Sequence, residues 1–392
     1  MFKILVGYIN MSLKSAKNLI RDLKRQGYQA YLVGGVVRDF LMKAKFSDID
    51  ITTNAKPFEV MKHFKAVPTG IKYGTITILY DNLSFEVTTF RTDGPTSDFR
   101  HPDSVIYSDN VHDDVTRRDF TMNGILMDEY QNIYDYVGGQ RDIENKIIRA
   151  IGEPSTRFKE DALRILRALY FQSKLGFEIE SGTKAAMAQE KHLVKELAME
   201  RIHAELIKIL KGPHLKKALN TMIETGIHKV LPGLEKGIVH IAKLEEMPFI
   251  DTFFATAFTL NDGFIPSKWT FSNRHRNKYQ KASELALKHP NIIPDQALYH
   301  YGLEISLLAN KVNFNLGKQT YQNQSIQERF KNLPLQSELD LALTSQDIMD
   351  IKDKKAGAWL GKLKTDMVNQ ILDKKISNTK EVLTAYVKAY EV

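Results

Sequence analysis

The chain has 392 residues, enough to bury a large core and to divide into two or more domains. Hydrophobic residues make up 43%, too many for a disordered polymer, and the lack of any cysteine excludes disulfides and thiolate metal ligation. A formal net charge of +8 suits a polyanionic partner, and no apolar run approaches the roughly 18 residues that would span a bilayer.

The opening MFKILVGYINM has the look of a signal-peptide core. It contains Asn10 and runs straight into Lys14 and Lys17 without a small-residue cleavage site, so it reads as an extension of the first helix. Met11 is an alternative start of translation, distinguishable from Met1 by the intact mass of the native protein. Residues 12–27 carry helical spacing through Leu13, Ala16, Leu19, Ile20 and Leu23, and stop near Gly27. YQAYLVGG reads as a strand entering a glycine turn, and VVRDFLM as a short helix behind it. DIDITT alternates with the period of a half-buried strand. Residues 57–65 read as helix, and TGIKYGTITILY and LSFEVTTFR as a β-hairpin around Asp81-Asn82. A polar loop, DGPTSDFRHPDS, follows, then TRRDFTMNGILMD and NIYDYVGG close a mixed α/β unit near Gly138-Gly139. From about residue 142 no strand is expected: the chain reads as successive helices broken at GEPS, LGFEIESGT, KGPH, LPGLEKG and KHPNIIPD. The fold class is therefore α+β, a mixed N-terminal head followed by an all-α C-terminal half. The lysines at 352, 354, 355, 362, 364, 374 and 375 suit a solvated helical surface or an RNA contact equally.

Three patterns carry chemistry. In LVGGVVRD, a strand leads into Gly34-Gly35 and a helix start, so backbone N–H groups can approach a phosphate without Cβ obstruction. Arg38, one turn on and followed by Asp39, can reach the same anion bidentately. Such glycine pairs also make ordinary turns. In Asp48-Ile49-Asp50, positions i and i+2 of a strand point to one face, and two carboxylates held that close suit Mg²⁺, a hard cation that takes one or two carboxylates plus water and phosphate. The alternative is a pair of solvent-facing aspartates. In EDALRILRALYF, Asp161, Arg164 and Arg167 form a polar helical stripe opposite Ala162, Ile165, Leu166 and Leu169. That stripe is either a surface ion pair or a rigid acceptor and donor able to pair with the edge of a base.

GGVVRD, DID, RRDFTMN and EDALRILR, in that order, resemble the signature motifs of the class II tRNA nucleotidyltransferases, within the polymerase-beta-like superfamily. The resemblance covers roughly residues 12–215. It implies that Gly35 and Arg38, with Gly34 and Asp39 beside them, meet the triphosphate of the incoming nucleotide, and that Asp48 and Asp50 bind catalytic Mg²⁺. It makes Arg118 a nucleotide contact, Arg117 and Asp119 supports of the head-to-neck junction, Asp161 and Arg164 the protein template for C and A, and Arg167 a triphosphate ligand. AMERIHAELIKIL, with Glu200, Arg201 and Glu205, resembles the last motif, which steadies the templating helix. This chain departs from the pattern at Tyr170, where many members carry arginine, and at Met199, where serine is usual. Glu86 falls where related polymerases place a third carboxylate; a buried glutamate paired with Arg91 is the competing reading.

The implied reaction is template-independent addition of CCA to the tRNA 3′ end from CTP and ATP, with pyrophosphate leaving in line. The implied division is a head at 1–142, a nucleotide-selecting neck at 143–212, and tRNA-binding body and tail at 213–310 and 311–392. The helical half would hold the tRNA acceptor stem and elbow, and DGPTSDFRHPDS would reposition the head between C and A addition. No obligate protein partner is indicated, and a cytoplasmic location is expected. Poly(A) polymerases share the same motifs, but this chain lacks long basic extensions. A relative adding only CC is a further alternative, whereas a dead RNA-binding module would have lost the carboxylates. His112-Asp113 stands alone before RRDFTMN, so no phosphohydrolase domain is expected, and the eleven histidines show no zinc-ligand spacing.

Overall fold

The structure, a computed structural model, describes residues 2–46, 48–93 and 105–391. The chain forms two compact units, residues 1–231 and 232–392. The first begins with α1 (Phe2–Arg25), β1 (Ala30–Val33), α2 (Gly35–Leu41), β2 (Asp50–Thr53), α3 (Pro57–His63), β3 (Ala66–Gly70), β4 (Thr75–Tyr80) and β5 (Leu83–Thr89). A small ribbon of β6 (Arg91–Asp93) and β7 (Val105–Tyr107) follows, then α4 (Val111–Thr116), β8 (Ile125–Met127), β9 (Ile133–Asp135) and α5 (Gly139–Glu144). The main sheet has the order β3-β4-β5-β2-β1-β8-β9, antiparallel except for the parallel β2–β5 pair.

The local reasons are those of the sequence. On α1, Ala16, Leu19, Ile20 and Leu23 are fully buried, so one apolar stripe seats the helix. Leu32 and Val33 of β1 and Val36 and Val37 of α2 bury on either side of the glycine turn. Asp81 and Asn82 both adopt positive φ, the backbone that a tight hairpin turn requires. The hydroxyls of Thr53 and Thr89 reach backbone carbonyls, which lets a threonine-rich central pair of strands be buried.

Two expectations need correction. Beyond residue 142 there is a two-residue parallel pair, β10 (Ile147–Ile148) with β11 (Glu178–Ile179), the latter inside what reads as a helix break. Strands that short give no alternation to detect. The remaining elements of this unit are α6 (Pro154–Glu160), α7 (Leu163–Leu175), α8 (Ser181–Glu190), α9 (Met199–Leu210) and α10 (Leu215–Glu224). The helical stripe expected of Asp161, Arg164 and Arg167 is also interrupted, because Asp161 closes α6 in an extended conformation (φ −146°, ψ 101°) and α7 starts only at Leu163.

The second unit is helical: α11 (Glu235–Ile241), α12 (Ile250–Leu260), α13 (Asn273–Lys288), α14 (Asp295–Asn315), α15 (Asn323–Lys331), α16 (Ser345–Lys352), α17 (Ala358–Leu372) and α18 (Lys380–Ala389). Phe254 lies at its centre, with Phe258, Trp269, Phe271 and Tyr279 ringed around it at 5.0–6.0 Å. Several of the clustered lysines are tied locally: Lys364 to Glu338, Lys375 to Asp373, and Lys352 to the Lys388 and Tyr390 carbonyls. Among the described residues no helix is long and apolar enough to cross a membrane. The loop expected to reposition the head lies, from residue 94 to 104, outside the described residues.

Candidate active site

The β1–α2 turn sets the site. Gly34 has φ 78°, a left-handed backbone that only glycine adopts readily, and a Cβ there would face Asp50 Oδ2 at 3.5 Å and Arg118 Nη1 at 3.6 Å. Asp50 begins β2, in register with Val33 on one side and Glu86 on the other. Asp48 precedes the strand, so the same-face argument from alternation does not apply to it. The two carboxylates nevertheless line the same cavities.

One cavity, of about 300 Å³, is walled by Gly34, Gly35, Asp48 and Asp50 from the head and by Arg167, Tyr170 and Lys208 from the helices that follow. A second, of about 690 Å³, shares Asp39, Asp48, Asp50 and Lys174 with it and extends past Glu86 and Phe85. The two carboxylates thus stand on the wall common to both. Burial, reinforced by Glu86 and then Asp48 and opposed by Arg118, pushes the Asp50 carboxyl up to about 6. Burial and a neighbouring carboxylate both disfavour the charged form of Asp50, and a bound divalent cation would offset both. Among the described residues no group of three or more His, Asp and Glu is close enough to hold a metal by itself. A two-carboxylate site completed by phosphate oxygens and water matches Mg²⁺ and fits this donor set.

Glu86 is exposed, contrary to the buried reading. Arg91 follows the end of β5 and donates to the Tyr73 carbonyl. Glu86 lies opposite Asp50 on the neighbouring strand and lines the second cavity with it.

The cationic side is built from held arginines. Arg38 is 2% exposed; its Nε donates to Asp39 Oδ1 at 2.8 Å and its Nη1 to Asn123 Oδ1 at 2.8 Å, so its fork is already engaged. Arg118 lines the cavity and donates to Asp114 Oδ2 at 2.9 Å, while Arg117 takes Asp114 Oδ1 with two donors. Burial would raise the Asp114 carboxyl, but Arg118 and Arg117 hold it below the usual range. Arg167 donates through Nε and Nη2 to Asp119 Oδ2, at 2.8 and 2.6 Å. Burial is again outweighed, and the Asp119 carboxyl falls to about 2. The guanidinium carbons of Arg38 and Arg167 lie 5.2 and 5.4 Å from the centre of the Phe171 ring, so one ring serves both.

Asp161 and Arg164 are not on this cavity's wall. Leu163 N donates to Asp161 Oδ1 at 3.1 Å and Arg201 Nη2 approaches it at 3.4 Å, while burial lifts this carboxyl above its ordinary value against the pull of Arg201 and Arg164. Arg164 donates through Nη1 to Glu160 Oε2 and the Arg157 carbonyl, and through Nη2 to the Arg117 carbonyl. Arg157 bonds the Arg117 and Arg118 carbonyls as well, so the RRD turn is gripped by both α6 and α7.

Sequence reasoning passed over Asp114, Asn123, Arg157, Glu160, Phe171, Lys174 and Lys208. Asp114 was detectable three and four residues before the arginine pair, and Asn123, Glu160 and Phe171 sit inside quoted motifs. Lys208 sits inside the quoted AMERIHAELIKIL with no role attached to it, and Lys174 carried no such signal.

Comparison with known proteins is consistent along the whole chain. Residues 30–149 match the "Poly A polymerase head domain" family, 176–238 the "Probable RNA and SrmB- binding site of polymerase A", and 264–387 the tRNA nucleotidyltransferase domain 2. The CCA-adding enzymes of Anoxybacillus flavithermus and Bacillus cytotoxicus are 35% and 36% identical, covering 96% of this chain and 96% and 98% of theirs. The crystal structure of the Bacillus stearothermophilus CCA-adding enzyme in complex with CTP aligns over 95% of this chain and 96% of its own, with TM-score 0.79 and 32% identity. A Thermotoga maritima CCA-adding enzyme complexed with tRNA shares the fold at TM-score 0.65 and 21% identity.

Proposed function

Because the chain belongs to the CCA-adding enzymes, a family of tRNA nucleotidyltransferases, we propose that it builds and repairs the 3′-terminal CCA of tRNA from CTP and ATP. The observation that carries this reading is the pair Asp48 and Asp50 on the wall shared by two cavities, one lined with arginines and one open beyond Glu86. A triphosphate in the arginine-lined cavity brings its α-phosphorus to that wall, where the tRNA 3′-hydroxyl meets it from the other side. The 3′ oxygen bonds to the α-phosphorus, the bond to the β-phosphate oxygen breaks in line, and pyrophosphate leaves.

Asp48 and Asp50 would hold Mg²⁺, whose chemistry is to lower the hydroxyl pKa and offset charge on the departing pyrophosphate. Arg38, Arg118 and Arg167 bind the phosphates. Each already rests on its own carboxylate, so little side-chain ordering is left to the moment of reaction. For base choice, the three bonds of Arg164 leave Nε–H and one Nη2–H uncommitted. These donors, with Asp161 as acceptor, suit the N3 and N4 edge of cytosine and the N1 and N6 edge of adenine. Residues 1–142 act as head, 143–212 as nucleotide-selecting neck, and 213–310 and 311–392 as tRNA-binding body and tail. This division is supported by the main sheet ending at Asp135 and by the wholly helical second unit. Work in the cytoplasm fits this substrate.

The test is incubation with Mg²⁺, CTP and ATP and tRNAs ending before CCA, after C, and after CC. Completion of CCA on all three followed by arrest supports the assignment. Long A tails would make it a poly(A) polymerase, and arrest after CC a split-function enzyme.

A further inference from the structure

The wall opposite the glycine turn carries a cation that no motif assigns. Lys208 of α9 lines the phosphate cavity together with Tyr170 of α7. Its ammonium lies 5.8 Å from the centre of the Tyr170 ring and 2.9 Å from Glu205 Oε2, one turn earlier on α9. The Glu205 side chain is 3% exposed and that of Lys208 52%, so the pair is anchored at its buried end and open at the other. An ammonium has three donors, and one committed to Glu205 leaves others to face the cavity. The second Glu205 oxygen, Oε1, is buried without a hydrogen-bond partner, and the same carboxylate acts on Arg167 as well as on Lys208.

Position along the cavity separates Lys208 from its neighbour Lys174. Lys174 lines both cavities and so belongs near the shared wall of Asp48 and Asp50, whereas Lys208 lines only the phosphate cavity. An α-phosphate at the shared wall leaves the far end to the β- and γ-phosphates. The three arginines of the cavity are each partly neutralised by Asp39, Asp114 or Asp119, so the highly charged end of a triphosphate gains from a further cation.

We propose that Lys208 binds the pyrophosphate end of the nucleotide, with Glu205 and the Tyr170 ring as its positioning residues. The proposal rests on the reading of this cavity as a triphosphate site. It is tested by calorimetric titration of the full chain in Mg²⁺ with CTP, inorganic pyrophosphate and CMP. Lys208→Ala is expected to weaken CTP and pyrophosphate roughly tenfold, the scale of one charge-assisted hydrogen bond, and to leave CMP and the KM for tRNA unchanged. Lys208→Arg restores most of the loss. Tyr170→Ala weakens pyrophosphate about threefold and Tyr170→Phe does not, because the ring alone holds the ammonium. Equal affinity of wild type and Lys208→Ala for CTP and pyrophosphate overturns the proposal while leaving the cavity's assignment standing, and so does a parallel loss for CMP. A wild-type chain that binds neither CTP nor pyrophosphate overturns the cavity's assignment together with it.

Discussion

Asparagine at position 50 separates the chemical role of the first residue of β2 from its stability. In the folded state the Asp50 carboxyl titrates at about 6 against an ordinary 3.8, driven up by burial, Glu86 and Asp48. A raised carboxylate pKa means the folded state holds the proton more tightly than the unfolded state, so ionising Asp50 destabilises the fold. That deficit is absent below about pH 4, grows as pH rises towards 6, and is complete above it. Two pKa units correspond to about 3 kcal/mol as an upper bound; Asp50 is only half-buried, and solvent screening brings the expectation to about 1–2 kcal/mol. Asp50→Asn has nearly the same shape and no charge, so without metal at pH 7.5 it should be the more stable protein by that amount, although it is inactive. Both tryptophans, Trp269 and Trp359, lie in the second unit, so their fluorescence is blind to the change. Hydrogen exchange of peptides spanning β1 and β2, followed in urea at pH 4 and pH 7.5, reads it directly. Saturating Mg²⁺ should stabilise wild type selectively and shrink the gap. A variant less stable than wild type at pH 7.5, or a difference that persists unchanged at pH 4, refutes the electrostatic reasoning.

Removing the Arg164 guanidinium by Arg164→Ala should relax the choice of C and A over U and G more than it alters metal affinity; sequencing of products from four-nucleotide competitions checks this, and unchanged selectivity removes the templating role. Asp119→Asn leaves Arg167 without its buried partner and should destabilise the first unit by about 3 kcal/mol while raising KM for both nucleotides, as measured by urea unfolding and initial rates. The depressed Asp119 carboxyl gives the opposite pH sign to Asp50: its contribution is complete above about pH 4 and is lost as pH falls towards 2, so acid unfolding of wild type between those values should be steeper than that of Asp119→Asn. Gly34→Ala meets only ordinary contacts at 3.5 and 3.6 Å, so its cost is the backbone alone: φ 78° with ψ −135° lies outside the left-handed helical basin, and a loss of about 2–3 kcal/mol should be read as a lowered urea midpoint.

Local chemistry was readable wherever the deciding interaction lay close in sequence. The glycine turn after β1, the Asp81-Asn82 hairpin and the buried face of α7 follow from backbone sterics and periodicity, which are properties of short windows. The same reasoning failed where a capping contact or the packing of remote segments overrode the periodic pattern. Asp161 carries helical spacing in sequence, yet it sits between two helices with its carboxylate on Leu163 N, a capping arrangement that periodicity does not reveal. Glu86 alternates with buried neighbours as a strand residue should, but whether its face is covered depends on what packs there, and the second cavity leaves it open.

The sequence by itself determined which groups are present: two carboxylates beside a glycine turn, three arginines in ordered motifs, and a chain without thiols. Only the tertiary structure decided how those groups share charge. It set Asp50 against Glu86 across parallel strands, tied Arg167 to Asp119 from a remote segment, and brought Lys208 to the wall where Tyr170 stands. The physical reason is range: backbone preference acts over a few residues, whereas pKa and ion pairing depend on distances and burial that exist only once remote segments meet.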